Sequence, residues 1–206
     1  MRGKNEAFWK RRRWLWLVVV VSLAVVPAVL FFPRAGSAPH EEVSLSKLEK
    51  EIIPAAGSET PYGIPLSWDN AARFAAWYNA IDLSSSEAKT LHQALSPIPT
   101  PCCDDTRLVQ CCCEESGQIC NLVRSARGLA GWLIQQQGFS ADETAGAVKT
   151  WVTFAHRGYY LAKELGKRGF SPARYGLTTK GSCYRSACNL PLRQGGCGGM
   201  GSEVGV

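Results

Sequence analysis

A chain of 206 residues with a formal net charge of +6 has room for one domain with appendages. Residues 1–13 hold +5 of that charge, six cations against Glu6, so the rest of the chain is nearly neutral. That balance gives no ground for a nucleic-acid partner.

The N-terminal tail MRGKNEAFWKRRR (1–13) precedes WLWLVVVVSLAVVPAVLFF (14–32), an uncharged run of nineteen residues. As a helix it would reach about 28 Å, close to the hydrocarbon thickness of a bilayer. Trp9, Trp14 and Trp16 stand where interfacial aromatics lie, and Pro27 is tolerable in a membrane helix. The run exceeds a secretory h-region and no clean A-x-A follows it, so it reads as an uncleaved single-pass anchor in the lipid bilayer. The small residues of AGSAPH (35–40) keep cleavage open. Cations crowd the N-terminal flank, whereas Arg34, Glu41 and Glu42 follow the run, so the tail is expected inside and residues 33–206 outside the cytoplasm.

The exported part predicts a mainly α fold: a small helical bundle with a cysteine-rich loop (99–120) and an irregular tail. SLSKLEKEII (44–53) has a capping-box pattern from Ser46 to Glu49 and reads as a short helix; with the Pro- and Gly-rich stretch 54–65 it forms a leader (33–65) to the domain proper, 66–169. Ser67 is a plausible N-cap for a helix that stacks Phe74, Trp77, Tyr78 and Ile81. Ser84 with Glu87 opens another, stopped by Pro97 and Pro99. From Asn121 a broad apolar stripe (Leu122, Val123, Ala126, Leu129, Ala130, Leu133, Ile134) runs to a stop at Gly138. Ser140 with Glu143 caps the next helix, whose buried face is Val148, Trp151, Val152, Phe154 and Ala155. A last helical piece ends at Gly169. The tail 170–206, rich in Gly, Arg and Cys, has no sustained period.

The chemistry lies in sulfur. Cys102, Cys103, Cys111, Cys112, Cys113 and Cys120 crowd into residues 99–120, and Cys183, Cys188 and Cys197 follow in the tail. Adjacent Cα atoms are 3.80 Å apart, below the usual 4.4–6.8 Å of a disulfide, so vicinal cysteines need partners elsewhere. Three readings stay open. Consecutive thiolates can face one soft ion, Cu(I) or Zn²⁺, with Cys102, Cys103, Cys111–Cys113 and Cys120 as the first ligand pool. Cys183, Cys188, Cys197 and the thioether of Met200 would complete that pool or cross-link the tail over it. Alternatively the cysteines are disulfide staples of an exported module, one of nine left over. Thirdly, Cys120 at a helix N-terminus suggests a membrane-tethered thiol oxidoreductase, although no C-x-x-C is present.

His40, His92 and His156 are weaker ligand candidates, packing or solvated by default. Asp104 and Asp105 beside the first cysteine pair, like Glu114 and Glu115 beside the triplet, read as solvated loop charge. No G-x-S-x-G, Walker loop or H-E-x-x-H occurs, so no catalytic residue is nominated.

LHQALSPIPTPCC…CCCE, followed by a helix and GFSADE…V, resembles the exported bacterial proteins named for a PCYCGC motif. The resemblance spans roughly residues 91–152. The C-Y-C-G-C spacing and that group's lipid-anchor cysteine are absent. It implies a bacterial, envelope-exposed cysteine-rich module and transfers no catalytic residue; besides the lipid bilayer, envelope proteins are the expected partners. Metal capture or delivery, or assembly of an envelope complex, is the expected role.

Overall fold

The computed structural model describes residues 43–206 except 105, 112, 113, 115 and 116. The predicted basic tail, membrane anchor, AGSAPH site and His40 lie outside the described residues. Among the described residues no helix is long and apolar enough to cross a membrane.

Six α-helices and no β-strand occur among the described residues: α1 Leu45–Ile52, α2 Asn70–Ala80, α3 Ser85–Leu95, α4 Asn121–Gln137, α5 Ala141–Ala155 and α6 Arg157–Lys167. Three short 3₁₀ turns, Pro172–Tyr175, Cys183–Arg185 and Leu192–Gln194, punctuate the tail. The two capping boxes read from Ser84/Glu87 and Ser140/Glu143 are both formed, and Gly138 ends α4 in the left-handed conformation.

Two helix starts differ from expectation. Ser44, not Ser46, caps α1 by accepting from the Lys47 N–H, so no box with Glu49 forms. Ser46 Oγ instead lies 3.1 Å from Ser44 Oγ. Ser67 closes a turn onto Asp69 rather than capping α2, which begins three residues later.

Helix α4 is the hub. Twelve of its seventeen residues are buried, so it is enclosed nearly all round, and its buried polar residues Asn121, Ser125 and Arg127 must find partners within the fold. Helices α2, α3 and α5 pack around it. The approach of α2 is closest at Gly128, where a Cβ would fall 1.9 Å from the Phe74 carbonyl oxygen. Aromatic rings fill the seam: Phe74 meets Trp151 edge-on at 5.1 Å, and Trp77 stacks on Trp132 at 4.6 Å. Helix α1 packs on α6 through a separate small cluster around Leu48, Leu161 and Leu165. The Pro- and Gly-rich stretch is no bare spacer, since Tyr62 and Ile64 are buried in the main core.

Candidate metal centre

The site is assembled at the N-terminus of α4, and the helix itself explains how. Its first N–H groups need acceptors, but the N-cap residue Cys120 supplies no side-chain cap. The tail supplies them: Asn121 N–H donates to the Gly199 carbonyl (2.9 Å) and Leu122 N–H to the Cys197 carbonyl (3.0 Å). The Asn121 amide reaches Gly198 and Glu203 carbonyls, both at 2.7 Å, and Arg124 reaches Gly201 at 2.7 Å. Capping α4 with the tail thus lays Cys197 beside Cys120.

The loop before α4 arrives by a second set of bonds. Leu108 is fully buried and its N–H donates to Ile98, while Thr100 N–H donates to Thr106, laying 106–108 back along 98–100. Buried Arg127 of α4 holds this loop from below, donating to the carbonyls of Leu108 and Val109, each at 2.8 Å. It also makes a two-pronged ion pair with Glu114 at 2.8 and 2.9 Å. The pairing with Arg127 holds the Glu114 carboxyl below its ordinary range. Glu114 is therefore a clamp rather than the solvated charge expected of it. Replacing Arg127 by Met is expected to lower stability by about 2–3 kcal/mol, because the buried Leu108 carbonyl and the part-buried Val109 carbonyl lose their donor and Glu114 loses its cation. Glu114→Gln, which keeps those two bonds, should cost about 1 kcal/mol in the same urea titration.

The tail then closes over the loop. Cys183 N–H donates to the Cys102 carbonyl at 3.0 Å, and Gly181 N–H donates to Asp104 Oδ1 at 2.5 Å. Asp104 is thus a tether of the tail.

Six thiols converge where these segments meet. Cys102, Cys111, Cys120, Cys183, Cys188 and Cys197 are not disulfide-bonded. The sulfurs of Cys102, Cys120 and Cys197, all buried, lie within 4.8 Å of one another. Those of half-buried Cys183 and Cys188 satisfy the same limit with Cys197. Cys111 joins through side-chain contacts with Cys102 and Cys120. A tetrahedral site with Zn–S bonds of ~2.3 Å spaces its sulfurs about 3.8 Å apart. Cys183 and Cys197 are 3.8 Å apart; Cys102 and Cys120, at 3.3 Å, must part slightly to admit an ion. These cysteines can hold a metal.

Cys103 is buried, 3.9 Å from the Cys102 sulfur, and is disulfide-bonded, which removes it from the thiolate pool expected of it. No disulfide joins two described cysteines; Cys112 and Cys113 lie outside the described residues, as do Asp105 and Glu115. Met200 is half-buried against the same core.

Sulfur–sulfur hydrogen bonds distribute the charge. Bonds from Cys102, Cys111 and Cys197 hold Cys120 well below the usual thiol range, and bonds from Cys102 and Cys197 bring Cys183 down to about 3. The donors move oppositely. Cys102 is pushed up by its bonds to Cys111, Cys120, Cys183 and Cys197, and Cys188 by burial and its bond to Cys183. Without a cation, then, thiolates are stabilised by neighbouring S–H groups, and a soft cation would displace those protons.

His92 is exposed on α3, its Nδ1 3.4 Å from Ser96 Oγ. His156 is buried behind the tail. Ser182 Oγ donates its hydrogen to the Gly195 carbonyl at 2.9 Å, so His156 Nε2–H is the donor in the 2.7 Å contact between ring and hydroxyl. The neutral imidazole pins the tail one residue from Cys183. Burial lowers its pKa from 6.5 to about 4. As pH falls below 6.5 the unfolded chain takes up a proton that the native ring refuses. The stability is present above pH 6.5 and drains away towards pH 4, by at most about 3 kcal/mol. Urea midpoints at pH 7 and pH 5 should show the loss, and His156→Gln should remove this part of the slope.

No protein-family model, curated protein or solved structure matches the chain.

Proposed function

We propose that this is a membrane-anchored envelope protein that binds a soft metal ion, copper or zinc, to capture it or deliver it to envelope partners. The observation that carries the reading is the meeting of six thiols from the loop before α4, its N-cap and the tail, three of them buried with sulfurs within 4.8 Å of one another. Staples would need sulfurs in bonded pairs; here several sulfurs share the same neighbours. Soft sulfur donors select Cu(I) and Zn²⁺ over hard cations. The anchor and its orientation rest on the apolar run 14–32 and its cationic flank.

The test is elemental analysis of the full chain, purified in detergent without chelator, together with thiol titration before and after metal removal. Stoichiometric copper or zinc, with thiols that become reactive only once it is stripped, is expected. Metal-free protein that neither retains added Cu(I) or Zn²⁺ nor protects its thiols overturns the proposal.

The second reading, a disulfide-stapled structural or interaction module, draws on the bonded state of Cys103 and on the 3.3 Å approach of Cys102 and Cys120. It predicts about one titratable thiol in unreduced protein, one cysteine of nine remaining after pairing. The third, a thiol oxidoreductase, needs an accessible attacking sulfur, and Cys120 is fully buried.

A further inference from the structure

Resting on the metal-binding reading, we infer that the site holds two ions rather than one, with the Cys197 thiolate bridging them. The two sulfur triads are different sets with one member in common: Cys102 and Cys120 on the inner side, Cys183 and Cys188 on the outer, and Cys197 in both. A d¹⁰ ion such as Zn²⁺ accepts four ligands in a closed thiolate site. Cys102, Cys120 and Cys197 supply three of these at ligand spacing, and Cys111, in side-chain contact with Cys102 and Cys120, is the nearest thiol to close the fourth place. A single inner ion would leave Cys183 and Cys188 over, yet these two already lie at ligand spacing from Cys197, 3.8 Å in the case of Cys183.

The backbone explains why Cys197 can serve both sides. It is fully buried between the triads, and its N–H donates to Cys188 while its carbonyl caps α4. Gly196 passes so close to Leu190 that a Cβ would meet its carbonyl oxygen at 2.0 Å. Gly198 and Gly199 then turn the chain away through φ of +70° and +81°, conformations that glycine adopts without strain. The run GGCGGMG is thus a track that sets one sulfur between two pairs.

The two positions differ in access. The inner sulfurs are buried, whereas Cys183 and Cys188 are half-buried, and among the described residues the outer group at ligand spacing numbers three cysteines. Three protein ligands with an open place is the arrangement of an exchangeable site, four is that of a retained one. The outer ion is the one loaded and surrendered, and the inner ion keeps the shared thiolate in place.

Cadmium, a soft d¹⁰ probe, tests this on the full chain in detergent. Apoprotein reconstituted with ¹¹³Cd²⁺ should bind two ions per chain by native mass spectrometry. It should give two ¹¹³Cd resonances split by each other through the common sulfur. Cys188→Ser should reduce this to one ion and one unsplit resonance. Should that variant misfold, the stoichiometry and splitting of the unaltered chain still decide the matter. One ion per chain, or two resonances without mutual splitting, overturns this inference and leaves the metal-binding reading standing. No retained cadmium overturns both.

Discussion

Replacing Gly128 by alanine is expected to cost at least about 3 kcal/mol and to lower Tm by about 10 °C. The expectation runs against local propensity, since alanine is the better helix former by about 1 kcal/mol in a helix interior. Packing decides the sign. The new methyl would stand 1.9 Å from the Phe74 carbonyl oxygen and 2.7 Å from the Tyr78 nitrogen, both backbone atoms of α2. Nothing flexible is there to yield, so α2 must lift off α4 and take the Phe74–Trp151 contact with it. Gly146 of α5 is the control, because no atom lies within 4 Å of the place its methyl would take. Gly146→Ala should stabilise by about 0.5–1 kcal/mol. Opposite signs from two helical glycines in one urea series would establish that the α2–α4 contact, not helix formation, limits stability. Equal signs would refute it.

Gly181→Ala should strike the candidate centre and largely spare the bundle. Its methyl would meet the Cys102 carbonyl carbon and oxygen at 2.7 Å and the Cys103 nitrogen at 2.8 Å. The tail must then move away from the loop. It would lose the Cys183–Cys102 backbone bond and the tie from Gly181 to Asp104. A displacement costing about 2 kcal/mol corresponds to a 10- to 30-fold weaker hold on bound metal, read by chelator competition. Reactivity of Cys183 and Cys188 towards a thiol reagent should rise in parallel. Gly201→Ala, with open space and no special backbone angle, should change neither quantity. Unchanged affinity in Gly181→Ala would mean that metal binding does not depend on the docking of the tail against the loop.

Much of the helical frame is readable from the chain. Ser84 with Glu87 and Ser140 with Glu143 are local signals, each satisfied within one turn, and both form as expected. The apolar stripe after Asn121 announces the central helix because its period survives one-dimensional reading. The start of α2 departs from the pattern because Ser67 and Asp69 satisfy each other first, in a turn.

The site is legible as a pool of ligands but not as an arrangement. Nothing local says that Cys197 lies against Cys120; that follows from unpaired N–H groups of α4 finding acceptors in a distant tail. Arg127 does not stand out as part of the site although it interrupts the apolar stripe. A lone cation on a buried face is a signal that a partner must come from elsewhere. Gly181 carries no signal at all, since its importance lies in the space that another segment occupies.

The tail's role as the cap of α4 imposes an order of events during biogenesis. Synthesis runs from the N-terminus, so Cys102 and Cys120 emerge well before the segment that carries Cys197 and closes the helix end. Until that segment arrives, the early sulfurs stand beside an unfinished helix and meet whatever oxidant or ion is at hand. On the metal-binding proposal, correct loading is therefore a matter of timing, and any factor that slows the last stretch of chain would favour the wrong cross-links.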